Sequence, residues 1–173
     1  YLMNPMLFRI AGASLAGIEA YPVEVEVDIS LGIPNFVMVG LPDAAIRESR
    51  ERVRAALKNC GYEFPPRKIT VNLAPADRKK EGSSFDLPIS LGFIAQLNIF
   101  PPERLEDYIF AAELALDGRL KPVRGVLPAA ILARKKGFRG LVVPRANEKE
   151  AILVGGLSVF GLDNLVQVVE LLK

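Results

Sequence analysis

Residues 72–88 hold the side chains that are most able to do chemistry. The stretch reads NLAPADRKKEGSSFDLP and places two hydroxyls, a glycine and a pair of lysines directly before an apolar segment. Ser84 or Asp86 could cap the following helix, because such side chains accept hydrogen bonds from free N–H groups of a first turn. Ser84 could instead be a nucleophile activated by a lysine. In a third interpretation, Lys79 and Lys80 help the helix N–H groups to hold a phosphate of a nucleic acid.

A second basic group lies on a predicted helix over residues 43–59. Arg47, Arg50, Arg54 and Lys58 recur at three- and four-residue spacing, so they line one side of that helix. A solvated face with weak ion pairs is the ordinary explanation, and contact with DNA phosphates is the alternative. A further cluster, at residues 134–139, ends another predicted helix, where cations are favoured. The candidate DNA-binding residues are Arg47, Arg50, Arg54, Lys58, Arg78, Lys79 and Lys80.

The composition excludes several other kinds of site. The 173 residues contain no His and one Cys, Cys60, which excludes zinc sites, Cys–His nucleophiles and Ser–His–Asp triads. Neither a Walker loop nor G-x-G-x-x-G occurs, so no cofactor is expected in these residues. Glu24, Glu26 and Asp28 could hold Mg²⁺, but alternating carboxylates on a wet sheet face explain them more simply.

The cysteine content and the length of the apolar runs predict the cellular location of the chain. A single Cys and no recognisable secretory signal predict a cytoplasmic protein. The longest apolar run, residues 89–100, is too short to span a bilayer, so no membrane partner is expected. The net charge of +2 does not by itself identify a partner.

The elements that must position the candidate residues are antiparallel strands followed by alternating helices and strands. Asp43 and Asp163 are predicted helix N-caps, and Asp117-Gly118 is predicted to turn a hairpin. The order predicts an α/β or α+β domain in two layers. One domain is expected over residues 7–173, and residues 1–6 are expected to be a foreign or disordered start. Predicted strands cover residues 7–13, 23–29, 36–39, 69–73, 108–116, 119–123, 141–143 and 157–160; predicted helices cover 43–59, a segment after the loop 75–84 that ends by residue 98, 126–136, 147–151 and a segment after Asp163.

Taken together, several runs resemble the N-terminal domain of the ComM/YifB family of magnesium-chelatase-like AAA+ ATPases, over about residues 7–173. The runs are GIEA at 17–20, VEVD at 25–28, VGLPD at 39–43, RESRERVR at 47–54, ITVNLAPAD at 69–77, KEG at 80–82 and FDLP at 85–88. The resemblance implies a fold like ribosomal protein S5 domain 2 and the Lon proteolytic domain. It also implies a neighbouring AAA+ motor that uses ATP and Mg²⁺, a hexameric ring, and DNA branch migration in recombination and natural transformation.

The similarity to Lon can be carried over residue by residue. The run EGSSFD at 81–86 occupies the place of the Lon run D-G-P-S-A-G, so Ser84 matches the nucleophile. The run PVRGVLPA at 122–129 occupies the place of P-I-G-G-L-K-E-K, and Ala129 fills the lysine position. A methyl group cannot accept the hydroxyl proton, so no catalytic residue is predicted. Lys79, Lys80 or Lys121 could substitute from elsewhere. Lys79 and Lys80 are expected on an exposed loop, where a lysine keeps its ordinary pKa and is a poor base.

Three functions follow from this. The first is a non-catalytic accessory domain that helps to assemble the ring and to guide DNA, with weak DNA binding when it is isolated. The second is a Ser84 peptidase whose lysine comes from elsewhere. The third is a protein-interaction module in which the sheet and the last helix, through Leu165, Val168 and Leu172, pack on neighbouring copies.

Overall fold

A seven-stranded mixed sheet runs through the computed structural model, which describes residues 6–173. The strands are β1 (Met6–Ala16), β2 (Glu19–Ser30), β3 (Asn35–Val39), β4 (Lys68–Ala74), β5 (Tyr108–Phe110), β6 (Glu113–Leu114), β7 (Leu120–Lys121), β8 (Gly140–Pro144) and β9 (Ser158–Leu162). The helices are α1 (Asp43–Asn59), α2 (Asp86–Ala95), α3 (Val126–Lys135), α4 (Glu148–Ile152) and α5 (Leu165–Leu172), with 3-10 turns at Pro102–Asp107 and Arg145–Asn147. The prediction for residues 1–5 lies outside the described residues, and Met6 is the first residue of β1.

The strand order in the large sheet is β3-β4-β2-β1-β5-β8-β9, and β6 and β7 form a separate hairpin. Within the large sheet, β2 pairs antiparallel with β1 and with β4, while the other pairs are parallel. The alternating pattern of β2 is confirmed, because Val25 and Val27 are fully buried and the carboxylates lie on the opposite face. There Arg9 lies 3.4 Å from Glu24 and 3.5 Å from Glu26.

Helices cover the two faces of the sheet unequally. α1, α2 and α5 pack on one face, in the larger core. α3 and α4 pack on the other face, in a smaller core behind β1, β5 and β8. The predicted α/β class is confirmed, with two layers over β3 and β4 and an added helical layer behind β2, β1, β5 and β8. All ten residues of α2 are buried, as expected of a helix that is apolar on every side.

Some local predictions are confirmed and others are wrong. The bounds predicted for α1 are confirmed, but its N-cap is Pro42 and Asp43 lies in the first turn. Asn164 and not Asp163 caps α5, accepting a hydrogen bond from Gln167 N at 3.0 Å. The predicted strand over residues 108–116 is interrupted between β5 and β6. There Ala112 N donates to Ser84 O, in the loop before α2, at 3.1 Å.

The last helix does not provide the surface expected for a protein-interaction module. Leu165, Val168 and Leu172 are all fully buried in the larger core. Contacts with another copy through these three side chains are therefore excluded by their packing. Among the described helices, none is both long enough and apolar enough to cross a membrane.

Candidate functional site: a cleft at Ser84 and Ala129

A cleft of about 610 Å³ opens beside the carboxyl end of β1. It forms because β1 and β5 pair only at Ala11 and Ile109, after which the two chains separate. The loop before α2 supplies one wall, and the turn into α3 supplies another. The lining residues are Ala13, Ser14, Leu15, Ala20, Glu81, Gly82, Ser83, Ser84, Ala111, Pro122, Val123, Arg124, Gly125 and Ala129.

The structure brings Ser84 and Ala129 to the walls of this one cleft. Ser84 lies two residues before α2, and Ala112 N donates to its carbonyl oxygen at 3.1 Å, which anchors the loop. Ala129 lies in the second turn of α3 and is 2% exposed. Among the described residues that line the cleft, none is a lysine. The hydroxyl and the methyl group therefore share a site that lacks the amine of a Ser–Lys pair.

The three lysines considered as substitute bases are held by other groups. Lys79 pairs with Glu81 at 3.0 Å, and Lys121 pairs with Glu113 at 3.3 Å. Lys80 is 1% exposed, and its ammonium donates to the carbonyl oxygens of Pro75 and Arg78. The prediction that Lys80 is exposed is wrong, and its place among the DNA-binding candidates falls with it. An ammonium enclosed by its own loop cannot reach a phosphate.

Ser83, next to Ser84, is tied to the β6–β7 hairpin. It hydrogen-bonds the Glu113 carboxylate, which also accepts from Lys121. Burial by itself raises the pKa of Glu113, but these hydrogen bonds and the charges of Arg52 and Lys121 lower it below its ordinary value. The loop beside the cleft is therefore attached to the hairpin by a charged group.

Asp86 does not cap α2, and neither does Ser84, because the N-cap is Phe85 and no side-chain cap bond forms. The buried Asp86 carboxylate accepts from Arg52 Nε at 2.6 Å, Ser49 Oγ at 2.7 Å and Leu114 N at 3.1 Å. Burial raises the pKa of Asp86, and the bonds from Arg52, Leu114 and Ser49 offset part of that rise. Asp86 thus joins α1, α2 and the β6–β7 hairpin, a role that sequence reasoning missed.

The cations of α1 differ in how free they are. Arg50 donates to Phe36 O at 3.0 Å, and the Arg54 guanidinium lies 4.4 Å from the centre of the Phe64 ring. Arg47 and Lys58 are exposed and form no ion pair with another described residue. Of the four cations on this side of α1, these two are the most available to an anion.

The loop cations lie beyond the carboxyl end of β4. The Arg78 guanidinium stacks 3.9 Å from the centre of the Tyr21 ring, and the Tyr21 hydroxyl donates to Lys79 O at 2.7 Å. Both Arg78 and Lys79 are exposed. Both can bind a ligand, but Arg78 would then give up its contact with the Tyr21 ring and Lys79 its exposed ion pair with Glu81.

This chain is similar to one protein family and to several known proteins. The family model described as "Subunit ChlI of Mg-chelatase" matches residues 25–147. Competence protein ComM of Haemophilus influenzae is 44% identical over 157 residues, covering 91% of this chain and 31% of that protein. The chain belongs to this magnesium-chelatase-like family. YifB of Escherichia coli is 43% identical over the same length and coverage, and the chain spans about a third of the length of these relatives. The predicted family is confirmed.

A more distant similarity concerns the cleft. Lon protease 2 of Thermus thermophilus is 27% identical over 133 residues, which cover 73% of this chain and 16% of that protein. This match supports the predicted Lon-like fold for this member of the family.

Proposed function

We propose that this chain is an accessory domain of a cytoplasmic AAA+ ATPase that remodels DNA, and that the domain does not itself hydrolyse peptides. The lack of peptide hydrolysis is inferred from the cleft, which has Ser84 in one wall and Ala129 in another. A serine hydroxyl needs a base within hydrogen-bond reach to become a nucleophile. The candidate lysines are instead paired with Glu81, with Glu113 and with backbone carbonyls.

The proposal that this domain guides DNA is based on the row of cations on α1 and on the family to which the chain belongs. Arg47 and Lys58 are eleven residues apart, or about 16 Å along a helix, and face the same side. Arg54 lies between them on that side. A row of cations with this spacing can follow a phosphate backbone. In the proposed assembly, a hexamer of the larger protein carries the ATP- and Mg²⁺-dependent motor, and this domain guides DNA to it.

Fluorescence anisotropy with single-stranded and forked DNA at low salt tests the DNA role. The variant Arg47→Glu/Lys58→Glu should bind at least about fivefold more weakly than the unmodified chain and should show a shallower salt dependence. The matched control is Lys135→Glu/Lys136→Glu. It changes the charge equally at the exposed end of α3, which packs on the opposite face of the sheet, and it should change binding by less than about twofold.

The DNA role fails under two results. One is that neither this chain nor a version joined to the AAA+ motor binds DNA. The other is that both pairs of substitutions weaken binding equally, which would indicate attraction to overall charge alone.

Peptidase activity is the second candidate, and the similarity to Lon protease favours it. Digestion of casein, followed with the unmodified chain and with Ser84→Ala, separates the two proposals. We expect no cleavage that depends on Ser84. Cleavage that Ser84→Ala abolishes would make the domain a hydrolase.

A further inference from the structure

The edge of β1 that faces the cleft is free. β1 pairs with β2 from Met6↔Ile29 to Ala16↔Glu19, but it meets β5 only at Ala11. Beyond β5 the chain bonds to the start of α2 and the loop before it: Ala112 N donates to Ser84 O at 3.1 Å, and Leu87 N donates to Ala112 O at 3.2 Å. No described residue forms a backbone hydrogen bond with the second edge of β1 at residues 13–16. A free strand edge is a template for a further extended segment.

The cleft has the size and walls for such a segment. Its volume of about 610 Å³ lies within the range of ligand sites in proteins. Residues 13–16 offer a strand of about 13 Å. Leu15 is 42% exposed, and its side chain lies against Gly125, with Pro122 and Val123 among the other lining residues. The walls therefore combine apolar contact with an unpaired backbone edge.

The charges of the lining select the ligand. Glu81 and Arg124 are the charged residues among the described residues that line the cleft. Glu81 forms an exposed ion pair with Lys79 at 3.0 Å. Arg124 is exposed and forms no ion pair with another described residue. The charge left unpaired is a guanidinium, which binds carboxylates well because its N–H groups form a fork.

We propose that this cleft binds an extended peptide segment that bears a carboxylate, with the segment adding to β1 at residues 13–16 and its acidic side chain meeting Arg124. The lack of a lysine beside Ser84 leaves the segment bound and not cut. This site is separate from the cations of α1, so binding here does not depend on the DNA role.

The test uses a fluorescein-labelled peptide with the sequence Val-Asp-Val-Asp-Val and the whole chain. Anisotropy should rise to saturation. Two altered peptides isolate the two kinds of contact. N-methylation of alternate backbone amides removes the donors needed for strand pairing, and Val-Lys-Val-Lys-Val reverses the charge. Each should bind at least about tenfold more weakly, as should the original peptide to Arg124→Glu. The control Lys135→Glu should leave binding unchanged.

Three results would overturn the proposal: no saturable binding, equal affinity for the N-methylated peptide, or full affinity in Arg124→Glu. The second would identify an anion site without strand addition. Mass spectrometry of the bound peptide separates this proposal from the previous one. A cleaved probe would support binding in the cleft while refuting the non-catalytic role.

Discussion

Replacing Asp86 with Ala should show that a buried ion pair joining α1, α2 and the β6–β7 hairpin stabilises the fold. The change removes a carboxylate that accepts from Arg52 Nε at 2.6 Å and Nη2 at 3.2 Å. It also leaves Ser49 Oγ and the Leu114 N–H, both buried, without that acceptor. Uncompensated donors and an unpaired charge in the interior are costly, so the loss should exceed that of an ordinary surface change.

The size of the effect follows from burial. Removing one partner of a buried pair costs about 3–5 kcal/mol. The Arg52 side chain is 21% exposed and has Glu48 within 3.9 Å, so part of its charge is solvated or screened and the lower end applies. A loss of about 3 kcal/mol in a domain of this size lowers Tm by about 6–12 °C. Folding should survive, since domains have about 5–15 kcal/mol of stability.

Asp163→Ala is the matched control for this experiment. Asp163 also accepts two hydrogen bonds from one arginine, at 2.7 and 3.1 Å from Arg145, but the two side chains are 59% and 51% exposed. Such pairs contribute little to stability. Urea unfolding followed by circular dichroism gives the free energy of unfolding for each variant. Adding Arg52→Met to Asp86→Ala should recover part of the loss, because the unpaired charge is gone. Equal losses for Asp86→Ala and Asp163→Ala would refute the reasoning.

Three further changes test the packing and charges around the cleft. Glu113 has a lowered pKa in the folded chain, so its contribution to stability is lost as pH falls. Between about pH 5 and 3 the unmodified chain should therefore lose more unfolding free energy than Glu113→Gln. Parallel plots of unfolding free energy against pH for the two proteins would contradict this. Gly92→Ala should cost about 1–3 kcal/mol in urea unfolding, because the added Cβ collides with Val27; an unchanged midpoint would show that β2 yields freely. Lys80→Met should cost about 1–3 kcal/mol, because the carbonyl oxygens of Pro75 and Arg78 lose their buried donor, whereas Lys79→Met removes only an exposed pair and should have little effect; thermal melts that rank the two variants the other way would contradict the burial argument.

Local pattern was sufficient where one segment determines its own structure. The alternation in β2 indicated a strand with one buried face, and burial of Val25 and Val27 confirms it. The spacing of apolar residues indicated α1, which ends before Gly61 as predicted. The Asp117-Gly118 turn joins β6 to β7 as expected. In each case the information lies within a few residues.

Tertiary contacts decided what local pattern could not. Asp86 looked like a cap because it begins a helix, but its partner Arg52 is 34 residues away along the chain. Lys80 looked exposed because its neighbours are polar, yet its loop folds around the ammonium. Ser84 and Ala129 were placed in one site only by a family resemblance, since nothing in their local sequences joins two segments on opposite faces of the sheet.

Restoring the missing amine tests the central chemical argument, because Ala129→Lys returns a lysine to the cleft beside Ser84. A fluorophosphonate probe labels only activated serines, so the rate of labelling measures the nucleophilicity of the hydroxyl. We expect Ala129→Lys to be labelled at least about tenfold faster than the unmodified chain, with the rate rising with pH as the lysine loses its proton. Ala129→Met, an apolar side chain of similar length, controls for the added bulk and should stay slow, and Ser84→Ala in the lysine variant should abolish labelling. If the unmodified chain is labelled as fast as Ala129→Lys, another group already activates Ser84, and this cleft belongs to a working hydrolase.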